Sequence, residues 1–345
     1  MSVFRTLAFV CCVVVAGCFG SANVYAAEPS KKTESAASCH GDDMLAELAE
    51  KAPDLFQKVQ TESRALGNTE AVLWKIEKPG VGTSYLFGTM HLSDRRLTEL
   101  SPAVMSAIKS SKTLALEVAD LSEKALADGM SKATDLLMYS DGKNLQSQLT
   151  ADEYKIVQQV VAKSGMPGEF AGMFKPWLVN MLLALSDCER QKVASGAAVL
   201  DMKIAEEAQK NKIAVVGLES IEQQLSALAS VPEDQQLQML KVGLKYADRA
   251  DDMMETLVQM YLKRELGAAM PFQIALASQH GISADAFEGF KTSLLVERNA
   301  RMRDAAKSLL DKGEVFIAVG ALHLPGQTGL VALFREAGFT VSAVE

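Results

Sequence analysis

Cysteine is scarce in this chain and unevenly spread. Of 5 cysteines, Cys11, Cys12 and Cys18 crowd the N-terminus, leaving Cys39 and Cys188 for the rest. No Cys-x-x-Cys spacing occurs, which excludes a zinc ribbon and a dithiol redox centre. Positive charge is in deficit: 35 Lys and Arg stand against 43 Asp and Glu, a net charge of −8. That balance argues against non-specific nucleic-acid binding and against a basic membrane-surface face. After residue 26 no run is apolar enough to span a bilayer. Also missing are the HExxH helix, the GxSxG elbow, the Walker loop and a GxGxxG following a strand, so the commonest hydrolase and nucleotide fingerprints do not apply.

The first residues read as a targeting segment. Arg5 precedes an apolar stretch, residues 7–17, that is too short to span a membrane comfortably. Two processing routes stay open: signal-peptidase cleavage after Val24-Tyr-Ala26, or a lipobox, Val15-Ala-Gly-Cys18, leaving a lipid anchor on Cys18. The first makes residues 1–26 the leader, and both place the mature domain outside the cytoplasm, periplasmic or secreted. In an oxidising compartment Cys39 and Cys188 are expected to form one disulfide. Residues 27–40, rich in Ser, Lys, Ala and Glu, read as a linker, and residues 41–345 as a single domain.

Two stretches at opposite ends of that domain share one grammar. Tyr85-Leu-Phe-Gly-Thr-Met-His91 and Val315-Phe-Ile-Ala-Val-Gly-Ala-Leu-His323 are apolar strands that each end in Gly-x-x-His. A strand at residues 71–76, a turn at Gly80-x-Gly82 and a strand at 83–88 form a predicted hairpin. Further short strands are expected at residues 113–118, 213–216 and 339–344. Residues 121–265 are mostly helical, with capping boxes at Thr150-x-x-Glu153 and Ser220-x-x-Gln223. Helices alternating with short apolar strands, two of which begin as a hairpin, predict an α/β fold whose mixed central sheet is flanked by helices.

Polar residues at strand ends carry the candidate chemistry. Glu117 closes an apolar strand, where it either emerges into water or needs a partner. Glu219 is a second strand-end acid, or else a favourable charge beside a helix N-terminus. In the predicted helix at residues 292–311, Leu295, Met302, Ala305 and Leu309 make the inward stripe, and Arg298 lies on it. An inward guanidinium must meet a strand-end acid or a bound anion. His280, before Gly281, reads as a helix-terminal residue, and Trp177 as core packing. In open α/β sheets ligands gather at the carboxyl ends of strands. Each histidine alone reads as a hydrogen-bonded core residue or as a ligand. Together, His91, His323 and Glu117 suit a divalent transition ion, with Glu219 as a reserve base.

An ordered set of motifs resembles a known family. Leu86-Phe-Gly-Thr-Met-His91, Leu116-Glu117, Lys175-Pro-Trp177, Gly217-Leu-Glu219-Ser-x-x-Gln223, Glu297-Arg-Asn299 and Ala318-Val-Gly-Ala-Leu-His323 are similar to those of the TraB/GumN family, which includes the Tiki-type metalloproteases. The resemblance runs from about residue 71 to the C-terminus. It implies an erythromycin-esterase-like core with a helical insertion and a metal-dependent, peptidase-type hydrolase acting on a peptide or protein. The metal would be a divalent ion such as Mn, Co or Zn. His91, His323 and Glu117 would be its ligands, with Glu117, Arg298 and Glu219 catalytic and Arg298 and Asn299 contacting substrate. Asp201 is left outside this set because Gly196-Ala-Ala-Val-Leu-Asp201 matches the family's Gly–apolar–acid pattern only loosely. The rival expectation is a non-catalytic periplasmic accessory protein that binds a peptide or glycan in the same cleft without metal.

Overall fold

The computed structural model describes Cys39, residues 41–120 and residues 122–345. The expected leader, Cys18 and all of the linker except Cys39 lie outside the described residues. Six strands form one sheet: β1 (Leu73–Glu77), β2 (Ser84–Thr89), β3 (Thr113–Leu116), β4 (Ala214–Gly217), β5 (Val315–Gly320) and β6 (Thr340–Ala343). Their order is β4-β3-β5-β2-β1-β6. The β4–β3, β3–β5 and β5–β2 pairs are parallel, while β1 runs antiparallel to both β2 and β6. The sheet is therefore mixed and covered by helices, as the alternating pattern predicts.

Alternation along the strands divides the core in two. On one face Leu73, Phe87, Leu114, Leu116 and Phe316 pack with Val104, Ile108, Leu200 and Ile204 from the helices Pro102–Lys109 and Leu200–Lys210. On the other face Trp74, Leu86, Ala115, Ile317 and Val319 pack with Met302, Ala306, Leu310 and Phe334 from the helices Glu297–Leu310 and Leu330–Glu336. Successive strand side chains point to opposite faces, so a nearly continuous apolar run such as Val315-Phe-Ile-Ala-Val supplies both layers at once.

The helical stretch between β3 and β5 builds a core of its own. Val157, Val161, Phe174, Leu178, Leu182, Leu225 and Leu240 bury one another there, and Trp177 belongs to this cluster. β4 falls inside the stretch and returns the chain to the sheet. Both predicted capping boxes are formed, at Thr150 and at Ser220. The Cys39–Cys188 disulfide is present, with Cα atoms 5.7 Å apart across 149 residues of sequence, and it ties the entry segment to the helix Asp187–Ala194.

One helical register differs from expectation. The buried stripe is Asn299, Met302, Ala306 and Leu310, whereas Ala305 is exposed and Leu309 half-buried. A π-helical segment, Lys291–Val296, immediately precedes this helix. Met302 belongs to both the expected and the observed stripe; beyond it the buried positions step by four residues, to Ala306 and Leu310, where the expected count stepped by three and then four.

Candidate functional site

The parallel strands bring the polar strand ends to one rim. Along it, in the order β4, β3, β5, β2, stand Glu219, Glu117, His323 and His91. The two Gly-x-x-His strands are neighbours although 232 residues separate their histidines. Their register pairs Gly88 with Val319 and Thr89 with Gly320, so the motifs are staggered by one residue. A Cβ on Gly88 would lie 3.0 Å from the Ala321 Cα and from the Leu324 side chain. Glycine in the first motif thus makes room for the turn that carries the second. Tyr261 closes the arrangement by donating its hydroxyl to the Gly88 carbonyl at 2.7 Å.

Each imidazole is oriented through Nδ1. His91 Nδ1 donates to Asp201 Oδ2 at 2.8 Å, and the Thr89 hydroxyl donates to Asp201 Oδ1 at 2.8 Å. Asp201 is buried in the first turn of Leu200–Lys210, where the helix dipole favours its charge. Burial opposes a charge on His91, but Asp201 outweighs it and Glu117 adds to it, raising its pKa to about 9. His323 Nδ1 donates to Asn299 Oδ1 at 2.7 Å. The Asn299 amide nitrogen donates to the Thr328 carbonyl at 2.8 Å, which turns the amide oxygen toward the ring and assigns the proton to Nδ1. Burial, reinforced by Arg298, lowers the His323 pKa to about 3. Neither Nε2 takes part in a hydrogen bond among the described residues.

The acids are held by cations and amides. Glu117 Oε2 accepts from Arg298 Nη2 at 2.7 Å and from the Gln224 amide at 2.8 Å. Its Oε1 accepts the Gly320 N–H at 2.7 Å and lies 3.7 Å from His323 Nε2. Burial alone would raise the Glu117 pKa; Arg298 and then the two histidines hold it far below the usual carboxylate range. Glu219, with no side-chain exposure, accepts from Arg298 Nε at 2.9 Å and Nη2 at 2.8 Å. Arg298 thereby bridges both strand-end acids, two residues beyond the π segment.

These groups open onto a cavity of about 420 Å³ whose wall includes His91, Glu117, Gln224, Arg298, Gly320 and His323. Glu219 sits behind Arg298 and Asn299 behind His323, neither on that wall. His280 lies elsewhere, its Nε2 3.1 Å from the Tyr246 hydroxyl. Asp201 and Gln224 contribute contacts that the strand motifs did not announce. The Gly–apolar–acid segment held the only signal for Asp201, and Gln224 follows the capping residue Gln223 directly.

The donor set suits a divalent ion in chemistry: two imidazoles with Nδ1 engaged and Nε2 free, beside a carboxylate whose geometry is fixed by other contacts. His323 Nε2 and Glu117 Oε1 are already close. His91 is set wider, since these three residues do not have donor atoms all within 4.8 Å of one another. Among the described residues the group that meets that spacing is Cys39, Cys188 and Asp251, whose sulfurs are joined to each other.

Comparison with known proteins adds an independent line. The sequence model described as the TraB/PrgY/gumN family matches residues 72–343. The chain is 25% identical over 314 residues to Metalloprotease TIKI2 of Danio rerio, covering 78% of this chain and 60% of that protein. It is 26% identical over 313 residues to Metalloprotease TIKI1 of Xenopus tropicalis, with the same coverage of 78% and 60%. It is 21% identical over 285 residues to Uncharacterized protein YbaP of Escherichia coli (strain K12), covering 82% of this chain and 100% of that protein. The chain thus spans less than two thirds of the length of these TIKI proteins. No solved structure matches it.

Proposed function

The chain belongs to the TraB/PrgY/gumN family, and we propose that it is an exported, metal-dependent hydrolase of the peptidase type with its reaction centre in the cavity at the strand ends. His91, His323 and Glu117 would hold the ion. A bound divalent ion supplies Lewis acidity, polarising a substrate carbonyl and lowering the pKa of water. The chain's own residues do the remaining work. Asp201 and Asn299 fix the ring orientations and direct each Nε2 away from its anchoring bond. Arg298, Gln224 and the Gly320 N–H hold Glu117 ionised at one position. Glu219 balances the charge of Arg298 from behind. Apolar walls reduce the water around the reacting groups and strengthen the local electrostatics.

The observation that carries this reading is the pairing of two imidazoles on adjacent strands, each anchored through Nδ1 and unclaimed at Nε2. The metalloprotease names of the TIKI relatives support it, and the leader and the Cys39–Cys188 disulfide support export. The wider setting of His91 favours a second reading, in which the cleft binds a peptide or glycan without metal. Digestion of a peptide library, with and without chelator, separates the two. Cleavage that chelator abolishes and that His323→Ala removes supports the hydrolase. Chelator-insensitive ligand binding with no cleavage supports the binding protein.

A further inference from the structure

Away from the strand ends the cavity is apolar, walled by Leu228, Met260, Leu266, Phe290, Leu294 and Leu295. A second cavity of about 210 Å³ lies beside it among the helices. The two share Ala184, Met254, Leu257 and Gln273 as a common wall. The second cavity is lined mainly by Leu183, Met239, Val242, Met253, Leu276 and Phe287. Its polar groups are few, and the Tyr246 hydroxyl is already engaged by Gln279 and His280. An extended peptide backbone would bring a donor and an acceptor with each residue and leave most of them unmatched there. An aliphatic chain brings none, and methionine-rich walls repack around it readily. The polar end selects the head group. Arg298 is neutralised by Glu117 and Glu219, so it has no surplus charge for a carboxylate, whereas a neutral head group brings no charge that would need one, and an amide can donate its N–H to the acceptor that His323 presents at Nε2.

We propose that the substrate of this site is an acylated molecule, whose amide or ester head lies against Gly320, His323 and Arg298 and whose unbranched chain runs past Met254 and Leu257 into the second cavity. This rests on the cavity at the strand ends being the substrate site. Specificity would then reside in chain length, read by the wall around Ala184, Met254 and Leu257.

The test is calorimetric titration of the full chain, in excess chelator, with saturated N-acyl-glycine amides of increasing chain length. Affinity is expected to rise about fourfold per added methylene, the value of burying one CH₂, and to level off once the second cavity is full. Ala184 is exposed at the shared wall and Ala250 half-buried at the second cavity. Ala184→Phe and Ala250→Phe should keep short-chain affinity and lose the increment for long chains. Either variant suffices should the other fail to fold. A flat series in the wild type, or an undiminished increment in the folded variants, overturns the proposal. Chain-length-dependent binding in chelator, with no hydrolysis of the same amides by the chelator-free protein supplied with Co²⁺, would sink the hydrolase reading alone. Chelator-sensitive cleavage of unacylated peptides with no effect of acylation would sink the acyl-chain inference alone.

Discussion

The two histidines titrate in opposite directions, which gives the metal-free protein a particular pH profile of stability. His91 is raised from an ordinary value of 6.5 to about 9, chiefly by Asp201 acting against burial. The folded state therefore holds a proton that the unfolded chain releases above pH 6.5. Stability from this pair is complete below that point and is lost as pH rises through about 9, at about 1.4 kcal/mol per pH unit. Over the whole window this sums to roughly 3 kcal/mol, less some screening because a quarter of the His91 side chain is exposed. His323 is lowered from 6.5 to about 3. The unfolded chain therefore takes up a proton that the folded state refuses, and stability falls with a similar slope as pH drops below 6.5. The opposed limbs meet near pH 6.5, where stability should peak. The assay is urea unfolding in chelator across pH 4.5 to 9. His91→Gln, which keeps a donor for Asp201, should flatten the limb above 6.5, and His323→Gln the limb below it. A falling limb that survives in His91→Gln, or a wild type most stable above pH 8, would refute the charge assignment.

Other consequences follow from the same contacts. Asp201 holds the His91 ring protonated, so an ion at Nε2 must displace the proton that nitrogen carries while the Nδ1 proton stays with Asp201, and apparent affinity for Co²⁺ should rise about tenfold per pH unit between pH 7 and 9. Asp201→Asn should flatten that slope, as read by metal titration. Arg298→Met strands Glu117 and Glu219 without their cation and should lower unfolding free energy by about 3–5 kcal/mol, with partial recovery on adding Glu219→Gln. Replacing Cys39 and Cys188 together by Ser opens the cross-link over 149 residues and should cost about 2–5 kcal/mol in the same measurement.

Much of the sheet was legible because apolar runs of four to six residues bounded by glycine have few other uses. Leu86-Phe-Gly and Val315-Phe-Ile-Ala-Val-Gly announced β2 and β5, and the two histidines followed from the repeated motif. That β2 and β5 lie side by side in parallel is a tertiary fact that neither strand encodes alone. Asp201 was legible only as a loose match to the Gly–apolar–acid pattern, for a related reason. An acid in a first helical turn normally reads as a favourable charge at the dipole, and only the packing of the helix Leu200–Lys210 on the sheet brings it to His91. Arg298 was recognisable as inward-facing, yet its two partners come from strands about 80 and 180 residues earlier in the chain. The stripe in its helix was displaced by one residue after Met302, because steps of three and of four both fit a 3.6-residue turn and packing against the sheet chooses between them.

X-ray absorption on the Co²⁺-loaded protein tests the convergence of the two chain ends most directly. The expected result is one ion per chain with two imidazole nitrogens at about 2.0–2.1 Å and the remaining ligands oxygen, and loss of the bound ion in His91→Ala with His323→Ala. Undiminished stoichiometric metal in that double variant, or an ion ligated through sulfur at Cys39 and Cys188, would contradict it.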